Sequence, residues 1–279
     1  MPDIRVDGKV LEVMHLFKYV GSTESSDAAM DAEISVRIQR MVIAFSKLAG
    51  RVYESKYLSL KVKLRLFNSI VIINSVYGCG SWNTRVSHLD ELETKQFQLL
   101  RRVFRARKLD FISNEVIMER AQAVGVAIVP IGITVRKRRL MYLSHILRQG
   151  ESSMLYQVFR SELSVGRRQR GGPTQSFRHS ILDDLNCFDL PLVRSELLVL
   201  AGDINNWEKR VELGSLYCLK NWLAVRAVAK AKRDALLDVK MAPLVAAIAD
   251  GHVTSARRSY ALGAASLDEE DLEAEYFDF

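Results

Sequence analysis

Paired carboxylates are the side chains here with the clearest capacity for metal-dependent chemistry, and the chain contains one adjacent aspartate pair. Asp183 and Asp184 stand in the segment Ser-Ile-Leu-Asp-Asp-Leu. Two or more carboxylates on neighbouring elements can hold two Mg²⁺ ions against a phosphoryl group. This pair falls within a helical pattern, so we interpret it as a solvated helix edge and not as a catalytic site.

Histidines and cysteines form no familiar metal-binding or nucleophilic pattern. The five histidines are scattered, and the three cysteines are Cys79, Cys187 and Cys218, without a CxxC pair. An odd number at wide spacing supports neither a disulfide framework nor a zinc knuckle. We therefore predict no catalytic residue, no metal site and no cofactor, and an intracellular location, nuclear or cytoplasmic.

Three basic clusters are stronger functional candidates, because lysine and arginine can neutralise phosphates. The clusters are Arg101, Arg102, Arg105, Arg107 and Lys108, then Arg136, Lys137, Arg138 and Arg139, then Arg167, Arg168 and Arg170. Taken alone, such a cluster is more often a solvated face. Where it does contact phosphates, it positions a duplex and carries little sequence information.

The charge distribution also favours a polyanionic partner. Residues 268–279 hold seven acidic residues and no basic one, so subtracting −7 from the net +7 leaves +14 for residues 1–267. A body that basic suits nucleic acid or an anionic membrane surface. The acidic tail either competes for the basic surface or is a solvated end. No run approaches the about 18 apolar residues that span a bilayer, and we predict no membrane partner.

The elements that would position these clusters are mainly helical. Within residues 4–20, Asp7-Gly8 favours a two-residue hairpin turn, and residues 16–20 form a second strand-like run that Gly21 closes. The apolar period then changes to about 3.6. Residues that share one helical face are Ile34, Ile38, Met41, Phe45, Leu48 and Val52. Asp27 or Asp31 is expected to cap this helix.

Further helices follow from the same periodicity and from caps and breakers. They are predicted at 60–77 after Ser59, at 87–105, from Ser113, at 133–148, at 176–187, at 192–201 and at 205–239. The segment 60–77 is apolar on most sides, which predicts a central, buried helix. Ser-Asn-Glu-Val at 113–116 resembles a capping signature. Trp82 and Trp207 are interpreted as core anchors.

Several segments together resemble one family, the non-LTR (LINE-like) retrotransposon reverse transcriptases. Phe17-Lys18-Tyr19-Val20-Gly21-Ser22 is similar to its FKYLGS primer-grip segment. Residues 58–64 and 76–82 resemble its LSLKTKL and LYGCETW stretches, residues 136–148 its RKRRLRWLGHVLR segment, and residues 166–173 its GKRxRGRP linker. Departures are Val20 for leucine, Phe177 for tryptophan and His179 for aspartate, and residues 190–279 match poorly.

The resemblance implies a helical segment from the C-terminal side of such a polymerase. Its expected division is a primer-grip-like hairpin at 1–26, a helical thumb-like domain at 27–162, a basic linker at 163–175, a helical C-terminal region at 176–267 and an acidic tail at 268–279. The family's catalytic carboxylates lie before the primer grip, and the sixteen residues before Phe17 contain no Asp-Asp pair. No enzymatic activity is therefore expected.

Nucleic-acid binding is the function that this resemblance implies. The expected contact residues are Phe17, Lys18, Tyr19 and Gly21 of the hairpin with Arg101, Arg105, Arg136, Lys137, Arg138, Arg139, Arg167, Arg168 and Arg170. The expected partner is RNA or an RNA/DNA template–primer duplex, with a separate palm and fingers polypeptide as a further candidate. Two alternatives stay open: a non-functional retroelement relic, and a helical scaffold for protein partners.

Overall fold

The computed structural model describes residues 5–7, 9–10, 14–26, 29–160 and 176–249. For residues 6, 9, 10, 108, 238 and 243–249 it describes the backbone but not the side chain. The chain is mostly helical, as its periodicity predicts. The described residues divide into two compact units, one ending at Lys220 and the other beginning at Asn221. None of the helices in the described part is long and apolar enough to cross a membrane.

Two small antiparallel sheets precede the helices. Strand β1 (Arg5–Val6) pairs with β2 (Lys9–Val10), and β3 (Leu16–Tyr19) pairs with β4 (Ser22–Ser25). The register Tyr19 to Ser22 leaves Val20 and Gly21 as a two-residue turn, with φ of 46° and 85°. The second strand-like run therefore ends at the turn that contains Gly21, as predicted, whereas the polar segment after the turn forms a strand, β4, that the sequence pattern did not predict.

Helix α1 (Asp31–Leu48) buries the apolar face that its sequence predicts, through Ile34, Met41 and Phe45. The predicted aspartate cap is wrong. Met30 occupies the N-cap position without a side-chain bond, and Asp31 instead accepts from Arg85 at 2.9 Å. A π-helical turn (Ala49–Tyr53) follows, and the aromatic ring of Tyr53 stacks on Phe45.

The predicted helix at 60–77 forms, but a π-helical turn interrupts it. Helix α2 (Leu60–Leu66) is capped by the Ser59 hydroxyl, residues Phe67–Ile72 are π-helical, and α3 (Ile73–Ser75) completes the segment. The expectation of burial on most sides is wrong at the end of the segment, since Ile73 and Tyr77 are about half exposed.

Helices α4 (Val86–Val103), α5 (Asn114–Ala123), α6 (Ile131–Arg148) and α7 (Met154–Arg160) continue the first unit. Helix α4 packs against α1 and α6. The buried Gln96 side chain joins α4 to the start of α6, because it donates to the Val129 carbonyl at 2.9 Å and accepts from the Ile131 amide at 2.8 Å. Ser113 stands at the N-cap of α5 as predicted, but its side chain makes no capping bond.

A hydrophobic core forms where α8 (Phe177–Cys187) and α9 (Arg194–Gly202) pack on α6. The first part of α10 (Ile204–Ala249) also contributes to this core. Its largest side chain is Trp207, which is fully buried. Both Trp207 and Trp82 are core residues, which confirms their interpretation from sequence. Gly214 permits the close approach of α10, because a Cβ there would lie 2.5 Å from the Phe188 carbonyl oxygen.

Cys187 and Cys218 form a disulfide, with their Cα atoms 5.5 Å apart. This corrects the expectation that the cysteines do not pair. The two residues are 31 positions apart, so no local spacing pattern marks them as partners. Cys79 is free and buried.

Candidate nucleic-acid interface

Arg139 of the second basic cluster lies inside the protein. Its side chain is 1% exposed, and it donates to both carboxylate oxygens of Asp184 at 2.6 and 2.8 Å. The remaining donor Nη1 contacts the Thr84 hydroxyl at 2.5 Å and the Trp82 carbonyl at 3.2 Å. Its side chain joins α6 to α8 and to the segment before α4, and its hydrogen bonds are directed inward.

The other members of this cluster differ in exposure. Arg136 donates to Asp184 at 2.8 Å and is 18% exposed, and Lys137 forms an ion pair with Glu212 of α10. Arg138 is exposed and donates to the Val76 carbonyl at 3.2 Å. Three of the four basic side chains thus have a carboxylate partner within the chain, which reduces the positive charge available to an external phosphate.

Asp184 is not the solvated helix edge that its sequence predicts. Its side chain is fully buried between Arg136 and Arg139, while its neighbour Asp183 is exposed. Burial raises the pKa of Asp184, and the two guanidinium groups oppose that shift by stabilising the carboxylate. Only one member of the pair follows the expectation, because successive helical residues point in different directions.

The hairpin residues Phe17, Lys18 and Tyr19 are exposed. The rings of Phe17 and Tyr19 lie on the same side of β3, 6.4 Å apart between centroids, as strand alternation predicts. Gly21 differs in role: its backbone has φ of 85°, and its carbonyl accepts from Arg37 at 3.0 Å.

A buried ion pair fastens this hairpin to α1. Arg37 is fully buried and pairs with Glu33 one turn earlier, and Glu33 also accepts from the Thr23 amide at 2.7 Å. The Arg37 guanidinium lies 5.4 Å from the ring centroid of Tyr77 and 5.6 Å from that of Trp82. The strand that carries Phe17 and Tyr19 is therefore held at a defined position on the bundle.

The first basic cluster surrounds the C-terminal end of α4. Arg101 is half-buried and donates to the Ile112 carbonyl at 2.9 and 3.1 Å and to Asn114 at 2.7 Å. Arg105 is exposed and donates to the Glu54 carbonyl at 2.8 Å. Arg101 thus holds the loop before α5, and Arg105 joins the end of α4 to the segment after the first π-helical turn.

Two exposed aromatic residues at this end, Tyr57 and Phe111, were not assigned to the site from the sequence. Tyr57 is 98% exposed and Phe111 is 85% exposed. Arg102 is exposed, with its guanidinium 4.8 Å from the Phe45 ring centroid. Isolated aromatic residues in loops carry no periodic signal, so only their neighbours in the fold identify them as candidates.

Lys63 contributes a buried positive charge below this surface. Its ammonium group donates to the carbonyls of Tyr53 and Ser55 at 3.0 and 2.6 Å. Burial lowers the pKa of Lys63, and the nearby charge of Arg105 lowers it further. Burial is the larger of these two causes, and the contribution of Arg105 shows that its guanidinium lies near the Lys63 ammonium at the end of α4.

Arg167, Arg168 and Arg170 lie outside the described residues, as does the acidic tail. Within the described part of the chain, no three or more His, Cys, Asp or Glu side chains are placed to hold a metal ion together. Comparisons with protein-family models, with curated proteins and with solved structures find no match to this chain. The resemblance drawn from the motifs stays a prediction.

Proposed function

We propose that this chain binds nucleic acid through its phosphate backbone, as a thumb-like segment derived from a non-LTR retrotransposon reverse transcriptase. The observation that carries the proposal is the surface around the end of α4, defined by Arg102 and Arg105 and here named the α4 surface. Both side chains are exposed. Across the described side chains, no carboxylate forms an ion pair with Arg102 or Arg105.

The charge balance around this surface supports a polyanionic ligand. Residues 101–113 contain five basic residues and one acidic residue, and residues 47–57 contain three basic residues and one acidic residue. Exposed guanidinium groups that have no carboxylate partner attract phosphates over about one Debye length, which is about 8 Å at physiological salt. Contacts of this kind predict binding with little sequence preference.

The exposed hairpin strand supplies a second contact region. Lys18 adds an exposed charge on the face of β3 opposite the stacked rings of Phe17 and Tyr19. In the proposed complex, the hairpin and the α4 surface hold the template–primer duplex, and another polypeptide supplies any catalytic carboxylates. Asp184 is engaged by two arginines, which supports the expectation that this chain alone does not incorporate nucleotides.

Fluorescence anisotropy with a labelled RNA/DNA hybrid tests the proposal. A plot of log affinity against log salt concentration has a negative slope. We expect the magnitude of this slope to decrease by about one unit for each phosphate-contacting arginine that is replaced by glutamine. The double variant Arg102→Gln, Arg105→Gln should therefore lower this magnitude by about two units. The control is Lys209→Gln, Arg210→Gln, which removes the same charge from exposed positions of α10.

Equal slopes for the α4-surface variant and the α10 control would contradict a phosphate site at the end of α4. Circular dichroism of each variant shows whether the helices are kept. Binding by the wild-type chain that does not weaken between about 50 and 300 mM salt would contradict the phosphate-backbone proposal as a whole.

A polypeptide partner is the second candidate, because the hairpin exposes apolar side chains. Leu16 is 53% exposed, Phe17 54% and Tyr19 64%. Exposed apolar surface is a feature of protein-contact sites as well as of ligand-binding sites. An interaction that persists at high salt, and that is lost in Phe17→Ser, Tyr19→Ser but kept in Arg102→Gln, Arg105→Gln, would favour this candidate.

A further inference from the structure

Two loops meet the end of α4, and three arginine or lysine side chains fix their positions. The first loop, residues 54–59, receives the Arg105 hydrogen bond at the Glu54 carbonyl and the Lys63 hydrogen bond at the Ser55 carbonyl. The second, residues 104–113, receives two hydrogen bonds from Arg101 at the Ile112 carbonyl. The loops are held by inward bonds while their tips stay exposed.

Each loop presents one aromatic ring to solvent. Tyr57 is 98% exposed, and Phe111 is 85% exposed. A single exposed aromatic residue is ordinary, but here one stands on each of two loops whose backbones are bonded by arginines from the same end of α4. Aromatic faces next to cationic side chains are the combination that binds unpaired bases together with their phosphates.

The backbone of the second loop adds an independent observation. Arg105 and Phe111 have φ of 54° and 44°, in the left-handed region that bulky residues rarely adopt. Such conformations persist only where surrounding bonds over-determine them, and they concentrate at binding sites. Arg101 supplies such bonds at the carbonyl of the next residue, Ile112, and so fixes the backbone that carries the exposed Phe111 ring.

We propose that Tyr57 and Phe111 stack on unpaired bases, so that this end of the protein binds single-stranded nucleic acid or the single-stranded overhang of a duplex. A fully paired duplex cannot use the rings, because its base faces are already stacked within the helix. The proposal rests on the proposed function for its phosphate contacts, while the base contacts are additional to it. The α4 surface then holds the strand's phosphates while the two rings hold its bases.

The test compares a single-stranded DNA of about 20 nucleotides, the matching blunt duplex, and a duplex with an overhang. The variants are Tyr57→Ser and Phe111→Asn, the second chosen because asparagine tolerates a positive φ. Tyr217→Ser is the control, since Tyr217 is 45% exposed on α10. Each site variant should lower single-strand affinity by about five- to 150-fold and leave blunt-duplex affinity unchanged.

Two further readouts separate stacking from a loss of loop structure. Tyr57→Phe should keep single-strand affinity, because the ring is retained. A 2-aminopurine in the single strand should be quenched by the wild-type chain and by Tyr57→Phe, and not by a chain carrying both Tyr57→Ser and Phe111→Asn. Quenching that is unchanged in this double variant would overturn the proposal.

Failure of this inference is distinguishable from failure of the proposed function. If the oligonucleotides bind with the expected salt dependence but the aromatic variants leave the single-strand to duplex ratio unchanged, the stacking inference is wrong and the phosphate site stands. If none of the oligonucleotides binds, both are wrong. If the control Tyr217→Ser lowers the preference for single strands as much as the Tyr57 and Phe111 variants do, the base contacts do not lie on these two loops.

Discussion

Replacing Asp184 with asparagine removes the carboxylate that joins α8 to α6. That carboxylate accepts three hydrogen bonds from guanidinium groups, at 2.6 to 2.8 Å. Asparagine keeps one acceptor oxygen, but its amide nitrogen would face an N–H donor of Arg136 or Arg139. Removing one partner of a buried ion pair costs about 3–5 kcal/mol, because the remaining charges stay buried without compensation.

Urea unfolding followed by circular dichroism measures the effect. For an m-value of about 2–3 kcal/mol/M, Asp184→Asn should lower the unfolding midpoint by about 1–2.5 M. Asp183→Asn is the matched control, since Asp183 precedes it on the same helix and is exposed. The free energy of unfolding of this control should differ from that of the wild-type chain by less than about 0.5 kcal/mol.

Equal midpoints for the two variants would refute the buried Asp184 network. A double-mutant cycle with Arg139→Gln gives a second check. Because the two side chains are in direct contact, the cycle should show a coupling of about 1–3 kcal/mol. A coupling near zero would mean that the two residues act independently and that the charge balance described for α6 is incorrect.

Three further predictions concern backbone conformation, close packing and thiol chemistry. Val20→Asn should stabilise the chain by about 1 kcal/mol in thermal unfolding, because a β-branched residue at φ of 46° is strained and asparagine is not; a lower Tm would contradict this. Gly214→Ala should lower the free energy of unfolding by about 1–3 kcal/mol, because the added Cβ would lie 2.5 Å from the Phe188 carbonyl oxygen. Gly202→Ala is the control and should not destabilise the chain, because the Cβ added there has nothing within 4 Å. At about pH 8 a thiol reagent should label Cys79 only after unfolding, because burial raises the pKa of its thiol to about 11 and keeps the thiol protonated. Rapid labelling of the native chain would show that Cys79 is not buried.

Local pattern predicts the helices of this protein because the pattern and the structure share a period. The apolar residues of α1 recur every three or four positions, and Ile34, Met41 and Phe45 are buried along one face. Ser59 precedes α2 and caps it, as serine does at many helix starts. Trp82 and Trp207 are buried because a large apolar ring gains more from leaving water than most side chains do.

The same pattern could not predict which charged residues are free to act. Arg139 and Asp184 are 45 positions apart, and their contact depends on how α6 and α8 pack. Sequence alone therefore presented residues 136–139 as one basic cluster, whereas packing places three of the four side chains against carboxylates. The disulfide between Cys187 and Cys218 depends on packing in the same way.

What the sequence alone determined is the helical class, the helix positions and the excess of basic residues. Tertiary structure decided which basic residues are paired, which of two adjacent aspartates is buried, and where exposed aromatic residues stand beside arginines. The physical reason is that helical periodicity depends on neighbours within one or two turns. Burial and ion pairing depend instead on residues brought together from distant parts of the chain, as Arg139 and Asp184 are where α6 packs on α8.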